Sequence, residues 1–243
     1  MSKLKLAILA SGSGSTAEPL FDKASLIITN NPNAGIIERA QKYGIDCIVL
    51  SRRDYYVYKE NGEVDQVATR LKYGLSLLTT FKIYEIEYIS QNGWSIKTSA
   101  NVIQAFSGKI INSHPAPLDP GHLDFGGLGM HGLAVHAAVL NFKRMINRPF
   151  NHTEVVLHEV TEEYDKGKVF AATLVPIEAS DTPETLQQRV KEYEKHQNKS
   201  FWDKIEQGDK LIQLVRTTRL ILPGEETILE EAKRQAIASY PQG

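Results

Sequence analysis

Short apolar runs alternate with stretches of helical spacing through the first half of the sequence. The runs are rich in Leu, Ile and Val and cover residues 4–10, 25–29, 47–51, 86–90 and 109–112. The predicted helices between them cover residues 17–24, 35–44, 65–81 and 99–106. Continuous apolar runs are typical of strands buried on both faces, and strand–helix–strand succession favours a parallel sheet. We therefore predict a parallel sheet with helices on both faces.

The second half of the chain follows a different pattern. Residues 152–160 and 168–177 alternate apolar and polar side chains and are joined by an acidic turn at 161–167. This alternation predicts two neighbouring antiparallel strands added to the sheet. A long helix is predicted over residues 182–208, and a further hairpin with a charged helix over 209–243. The complete prediction is an α/β fold: a Rossmann-like, mostly parallel sheet with helices on both faces and an antiparallel C-terminal hairpin extension.

The charge balance argues against a nucleic-acid partner. The 243 residues include 28 Lys plus Arg and 29 Asp plus Glu, a formal net charge of −1, so no basic excess suggests a nucleic-acid surface. The one cysteine, Cys47, cannot form an intramolecular disulfide, which fits a reducing compartment. The N-terminal apolar run is too short to span a membrane, and it continues into a glycine turn rather than an export cleavage site. We therefore predict a cytoplasmic protein without a membrane partner.

A glycine-rich turn follows the first predicted strand. Its residues 10–16, ASGSGST, connect that strand to a predicted helix. Glycines allow main-chain N–H groups to turn towards an anion, and a helix N-terminus adds partial positive charge, so the turn is a candidate phosphate site. The spacing is neither GxGxxG nor a P-loop motif, since no lysine follows. A tight turn without a ligand is the alternative.

Three polar residues are candidates for chemistry. Asn112 and His114 lie at the end of a predicted strand, two positions apart, so their side chains face the same side. An amide can donate to a developing oxyanion, and an imidazole can carry a proton near neutral pH. Asp165 in the acidic turn could orient that imidazole and raise its pKa. The alternatives are a hydrogen-bonded histidine at a polar strand end and a solvated aspartate in a turn.

The remaining histidines do not have the spacing of a metal site. His122, His131 and His136 lie near Asp119 and Asp124 in the sequence, but neither HExxH nor HxxxH spacing occurs and cysteine ligands are lacking. We therefore predict no metal. A GxSxG motif is also missing from the sequence, which argues against a serine hydrolase.

Five segments, taken in order, resemble the folate-dependent formyltransferases, most of all the branch that acts in purine biosynthesis. They are LAILASGSGST, ITNNPNAGIIERAQKYGIDCIVLSRRD, GKIINSHPAPL, LHEVTEEYDKGKVFA and DTPETLQQRVKEYE. The third contains the Asn-x-His-Pro signature of the family, and the fourth contains its catalytic aspartate with the following glycine. The resemblance implies a formyltransferase catalytic domain over residues 1–208. It also implies that residues 209–243 are a C-terminal extension, a hairpin and a helix, packed on that domain.

The resemblance also implies a reaction. A formyl group would pass from the co-substrate 10-formyltetrahydrofolate to the amine of glycinamide ribonucleotide, without a metal. Asn112 would hold the formyl oxygen as it becomes an oxyanion, His114 would carry the proton and stabilise the intermediate, and Asp165 would orient His114. The implied partners are small-molecule substrates, with no nucleic acid and no membrane, and homodimer formation stays open.

Other residues would bind the amine substrate if the resemblance holds. Gly14, Ser15 and Thr16 match the family residues that cradle the 5′-phosphate of the substrate. Glu194 falls where the family has a glutamate that binds the ribose hydroxyls. These roles are implied by position in the family pattern and not by the spacing of the residues.

Two segments depart from the family pattern. The implied folate-binding residues are Trp94, Ile96 and Thr98, but the family's apolar run is replaced by a more polar one at residues 95–98. The stretch 119–132 is longer and richer in glycine than usual, and His131 within it would replace a substrate-side histidine. These departures leave the amine acceptor open. The alternatives are a nucleotide-linked amino sugar, methionyl-tRNA, or a non-catalytic nucleotide-binding module.

Overall fold

The structure, a computed structural model, describes residues 4–242. Its strands are β1 (Leu6–Leu9), β2 (Ala24–Thr29), β3 (Cys47–Val49), β4 (Tyr88–Gln91), β5 (Ile110–His114), β6 (His152–Glu159) and β7 (Val169–Pro176). Its α-helices are α1 (Ile36–Lys42), α2 (Gln66–Ile83), α3 (Ala100–Ala105), α4 (Gly132–Met145), α5 (Pro183–Glu206) and α6 (Glu226–Ser239). Short 3-10 turns lie at Glu18–Leu20 and Arg52–Tyr55. No helix in the described range 4–242 is long and apolar enough to cross a bilayer.

The strands form one sheet of seven in the order β3-β2-β1-β4-β5-β6-β7. The pairs from β3 to β5 are parallel, and β6 pairs with β7 in antiparallel fashion. This arrangement confirms the predicted fold class, a mostly parallel α/β sheet with an antiparallel C-terminal hairpin. The chain leaves β1 in one direction and returns to β4 on its other side, which makes the β1–β4 pair a topological switch point. Ligands of open α/β sheets bind beyond the carboxyl ends of the strands at such a point.

The chain divides into two compact units. The first contains the residues up to Asn112 together with Trp202–Gly208. Its core is the apolar sheet: every residue of β1 is at most 1 % exposed, and Leu26, Ile27 and Ile28 of β2 are fully buried. Strands buried on both faces explain the continuous apolar runs of the sequence.

The second unit contains Ser113–Phe201 and the residues from Asp209 onward. Its core joins α4 to α6, where Leu229, Ala232 and Ala236 are buried in the same apolar cluster as the α4 side chains. An aromatic group completes this core, with the Phe125 and Phe142 ring centroids 5.5 Å apart. The sequence did not predict α4, because its residues 134–140 are buried without interruption and resemble a continuous apolar run.

Two predicted elements do not form. The helix predicted at 17–24 was wrong: β2 already begins at Ala24, paired with Leu6, which leaves room for only the 3-10 turn Glu18–Leu20. The hairpin predicted within 209–243 was also wrong, because residues 209–225 form no strand.

We call residues 209–225 the tail segment. Instead of pairing with itself, it lies along other parts of the second unit. The Leu214 N–H donates to Val169 O at 2.7 Å, and the Arg216 side chain donates to Leu118 O at 2.7 Å and pairs with Glu154. That residues 1–208 act as a catalytic domain and 209–243 as an extension remains a prediction, since the compact units divide the chain differently.

Candidate active site

The glycine loop, residues 10–16, follows the carboxyl end of β1 at the switch point. Gly14 has a φ of +69°, and a Cβ at this position would lie 2.5 Å from Ile36 Cγ1, so only glycine fits. The main-chain N–H groups of Gly14 and Thr16 donate to no acceptor among residues 4–242. Because the following helix is only the Glu18–Leu20 turn, these N–H groups, not a helix dipole, are what the loop offers to an anion.

The segment after β4 is bonded directly to the glycine loop. The Ser11 N–H donates to Gly93 O at 3.1 Å, and the Ser95 N–H donates to Ser11 Oγ at 2.9 Å. Of the predicted folate residues, Trp94 and Ile96 are partly buried, and Thr98 is 8 % exposed. The polar residue Ser95, unexpected in a folate pocket, therefore serves as a link between the loops that follow β1 and β4.

Asn112 and His114 lie two residues apart on β5. Asn112 stands opposite Gln91 in the parallel register and is partly buried. His114 is the last residue of β5 and is 3 % exposed. Pro115 follows it and restricts its backbone to extended conformations, which fixes the direction in which the imidazole leaves the strand.

Both ring nitrogens of His114 face protein atoms. Nε2 lies 3.1 Å from Phe125 O, and Nδ1 lies 3.8 Å from Asp165 Oδ2. A carbonyl oxygen only accepts, so Nε2 carries the hydrogen and the neutral ring keeps its lone pair on Nδ1. Burial holds the pKa of His114 below its ordinary value, against the opposing effect of the Asp165 carboxylate. The ring is therefore neutral near pH 7, and Nδ1 is the atom that can take up a proton.

Asp165 lies in the left-handed region with a φ of 57°, a conformation that aspartate tolerates better than most residues. Its Oδ2 accepts from the Gly127 N–H at 2.8 Å. Burial would raise the pKa of this carboxyl, but His114, His158 and the Gly127 N–H together hold it well below its usual range. Asp165 is therefore a buried carboxylate that stays ionised beside an imidazole, the arrangement that orients a proton carrier.

His158 is a site residue that sequence reasoning missed. It is 2 % exposed on β6, and its Nδ1–H donates to Glu159 O at 2.9 Å. Its Nε2 lies 3.4 Å from Asp165 Oδ1, so each oxygen of this carboxylate faces one imidazole. The sequence did contain a sign of this role: His158 lies in a predicted strand that leads directly into the acidic turn, so it lies at the same end of the hairpin as Asp165.

The 115–131 loop, which connects β5 to α4, covers His114. The Phe125 side chain is fully buried against Phe142 and Phe150, which places its carbonyl oxygen against the imidazole. The next residue, Gly126, approaches so closely that a Cβ would lie 2.7 Å from Asp165 Cβ. The glycine at 126 therefore has a physical reason: the main chain here touches both members of the His–Asp pair.

The other predicted positions lie elsewhere. Glu194 lies on α5, is 6 % exposed and is engaged by another residue. His136 on α4 is 1 % exposed, its Nδ1 has no hydrogen-bond partner within the described part of the chain, and burial lowers its pKa to about 3. His131 precedes α4 with no side-chain capping bond. Among residues 4–242 no group of three or more His, Cys, Asp or Glu side chains is arranged to hold a metal ion.

An open cavity of about 690 Å³ lies within the second unit, beside the 115–131 loop. Its lining comes from residues 121–123 of that loop, from Glu163 and Lys166 of the acidic turn, and from Arg219 of the tail segment. His114 and Asp165 do not line it. This cavity therefore lies next to the loop and does not reach His114, which is buried.

A family profile described as "Formyl transferase" matches residues 4–199, most of the chain. The chain belongs to this family. Among relatives of the formyl transferase family, the phosphoribosylglycinamide formyltransferase of Bacillus subtilis (strain 168) is 27 % identical over 201 residues, covering 78 % of this chain and 88 % of its own. The chloroplastic enzyme of that name from Arabidopsis thaliana is 31 % identical over 198 residues, covering 76 % of this chain and 60 % of its own.

A solved structure supports the fold. The phosphoribosylglycinamide formyltransferase of Anaplasma phagocytophilum superposes with a TM-score of 0.67 at 24 % identity, covering 91 % of this chain and 98 % of that chain. The match to the formyl transferase family ends at residue 199, so α6 and the tail segment lie outside it.

Proposed function

We propose that this chain transfers a formyl group from 10-formyltetrahydrofolate to the amine of glycinamide ribonucleotide, a step of purine biosynthesis. The observation that carries the proposal is the buried His114–Asp165 pair in a chain of the formyl transferase family. Asn112 lies on the same strand as His114, two residues before it. The names of the relatives from B. subtilis and A. thaliana support this substrate pair.

The reaction needs an oxyanion donor and a proton carrier. The substrate amine attacks the formyl carbon, a C–N bond forms, and the carbonyl oxygen becomes an oxyanion that the Asn112 amide can stabilise. His114 takes the proton released by the amine, on Nδ1, and returns it to the folate nitrogen as the old C–N bond breaks. A preorganised oxyanion donor typically contributes roughly 10²–10³ in rate, and a positioned acid–base group roughly 10²–10⁴.

Asp165 orients the His114 ring and stabilises its protonated form. Its carboxylate lies on the Nδ1 side of the ring and stays ionised, so it stabilises the imidazolium that forms when Nδ1 takes up a proton. Burial keeps the ring neutral beforehand, which is the state that can accept a proton.

The remaining roles concern binding. Gly14, Ser15 and Thr16 cradle the 5′-phosphate through the main-chain N–H groups of the glycine loop, and Glu194 holds the ribose hydroxyls. The folate co-substrate lies against the segment after β4, where Trp94 packs beside the pterin and the main chain of Ile96 and Thr98 binds its edge. The free N–H groups of Gly14 and Thr16 support the phosphate assignment, and the position of the loops after β1 and β4 at the switch point supports the phosphate and folate assignments.

The test is an assay with both substrates and mass-spectrometric detection of the formylated amine. Wild type should formylate glycinamide ribonucleotide, and His114→Ala should lower kcat by about 10²–10⁴ without loss of folding, because it removes the proton carrier. His196→Ala on the exposed face of α5 is the matched histidine control and should keep wild-type turnover.

Two outcomes would reject the proposal. The first is a folded wild-type protein that transfers no formyl group to glycinamide ribonucleotide. The second is a preference for a nucleotide-linked amino sugar offered in the same assay, which would move the activity to another amine.

A further inference from the structure

Helix α6 reaches the main chain of the 115–131 loop through one lysine. Lys233 Nζ donates to Gly126 O at 3.0 Å and to Asp124 O at 3.4 Å. Its side chain is 17 % exposed, and its ion pair with the exposed Glu230 is long, at 3.8 Å. Hydrogen bonds from an ammonium are charge-assisted and stronger than neutral ones. The lysine therefore lies closer to two carbonyls of the loop than to its carboxylate neighbour.

The two carbonyls held by Lys233 flank the residue that contacts His114. Phe125 lies between Asp124 and Gly126, and its own carbonyl accepts from the His114 Nε2–H at 3.1 Å. One residue further on, the Gly127 N–H donates to Asp165 Oδ2. Four consecutive residues thus connect the ammonium on α6 to both members of the His–Asp pair.

We infer that Lys233 is a positioning residue for formyl transfer: it fixes the main chain at 124–127 so that the Phe125 carbonyl keeps the His114 hydrogen on Nε2 and leaves Nδ1 to accept the proton. This role rests on the proposed function. It assigns a task to α6, which lies beyond the residues that match the formyl transferase family.

The tautomer of a neutral imidazole depends on the bond that its other nitrogen makes. If the Phe125 carbonyl moves away, nothing holds the hydrogen on Nε2, and the ring can rotate or exchange tautomers. A displacement of about 1 Å far from the chemistry can cost roughly 10²-fold in rate. Lys233 can therefore affect turnover without contacting the substrate, because it controls the position of the Phe125 carbonyl.

The test compares three lysine variants. Lys233→Met keeps the aliphatic stem and removes the ammonium, and Lys233→Arg keeps a charged donor. Lys143→Met is the matched control, because Lys143 on α4 also donates to a main-chain carbonyl, Ile177 O at 3.2 Å, within the same unit. The measurements are kcat, KM for the amine, and the ¹⁵N shifts of the His114 ring.

Lys233→Met should lower kcat by about 10- to 100-fold with KM for the amine changed less than about twofold. The His114 ¹⁵N shifts should change from one tautomer to a mixture. Lys233→Arg should restore most of the rate, and Lys143→Met should leave kcat and the tautomer unchanged.

The inference is overturned if Lys233→Met keeps the wild-type tautomer and kcat, or if Lys143→Met causes the same losses. The ring spectrum needs no substrate, so it tests the inference even if wild type transfers no formyl group and the proposed function fails. Should Lys233→Met not fold, Lys233→Ala, which removes the donor and keeps a strong helix former, supplies the same readouts, and an unchanged His114 spectrum there also overturns the inference.

Discussion

At the scale of single residues, the candidate site depends on a carboxylate shared by two imidazoles. Asp165 Oδ2 lies 3.8 Å from His114 Nδ1, and Oδ1 lies 3.4 Å from His158 Nε2. The left-handed backbone at Asp165 adds a second requirement, because few residues besides glycine, asparagine and aspartate adopt it at low cost. Charge and backbone conformation together make aspartate the residue that suits this position.

Asp165→Asn should separate these two requirements. Asparagine tolerates the same backbone and has the same shape, so folding should survive. We expect kcat to fall roughly 10²-fold or more, because the proton carrier loses its orienting charge. The acid limb of the rate should move to lower pH, since the carboxylate that raises the pKa of His114 is gone and burial acts alone. Rates measured between about pH 5 and 9 check this, and a shift to higher pH would contradict it.

Gly126 is the second residue whose identity is fixed by contact. A Cβ there would lie 2.7 Å from both Asp165 Cβ and Leu118 Cδ2. Gly126→Ala should therefore destabilise the protein by about 1–3 kcal/mol through overpacking and should lower kcat by moving Asp165. Gly12→Ala, where a Cβ would meet nothing within 4 Å, is the stability control. Urea unfolding checks the comparison, and equal stability of the two variants would show that the close approach is absent in solution.

At the scale of elements, the sequence predicted every strand of the sheet to within a few residues. These strands are buried on both faces or alternate in a hairpin, and both patterns are visible in one dimension. Helix α4 was missed because its residues 134–140 are buried without interruption, so no polar position marks the helical turn over that stretch. The tail segment was misread because Ile212 and Val215 look like strand residues, yet they are 75 % and 71 % exposed. Its path is set by contacts with distant residues, which no local pattern records.

Some candidate site residues could be predicted from the sequence, and others could not. Asn112, His114 and Asp165 could be named in advance because their side chains are of the types that move protons and bind oxyanions. Lys233 acts through main-chain oxygens, so its role depends on where α6 packs and not on a local motif. The sequence contains no signal for such a contact.

The docking of α6 depends on a second basic residue. Arg148 forms a two-point pair with Glu225, at 2.5 and 2.7 Å, immediately before α6, and also donates to Leu220 O. Arg148→Met should lower the free energy of unfolding by about 1–3 kcal/mol, because the largely buried carboxylate of Glu225 loses its partner. Arg234→Met breaks the solvent-exposed pair with Glu231 and should lower the free energy of unfolding far less, because water screens that pair. Urea unfolding of both variants measures the two changes in stability. Similar decreases for Arg148→Met and Arg234→Met would contradict a role for Arg148 in packing α6.

At the scale of the whole molecule, two buried histidines make stability depend on pH. The pKa values of His114 and His136 are lowered in the folded protein, that of His136 to about 3. Groups of this kind bind protons more readily in the unfolded chain, so acid favours unfolding. Their contribution is complete above the unfolded pKa of about 6.5 and is lost as the pH falls below it.

The free energy of unfolding should therefore fall between about pH 7 and 5, by up to about 1.4 kcal/mol per pH unit for each fully neutral histidine. Denaturation followed by circular dichroism at several pH values gives the slope. His136→Gln should reduce that slope even if it lowers stability at every pH. His152→Gln replaces an exposed histidine and should leave the slope unchanged. A slope that His136→Gln does not alter would show that His136 is not buried in solution.

The group that holds the His114 hydrogen is a peptide oxygen, and this has a consequence for how such enzymes vary. A scan of single substitutions cannot delete that oxygen, and only a backbone change, such as an ester in place of the 125–126 amide, weakens it as an acceptor. Chains whose sequences differ between the histidine and the following helix can thus perform the same chemistry, provided that a main-chain carbonyl occupies the same position beside the imidazole.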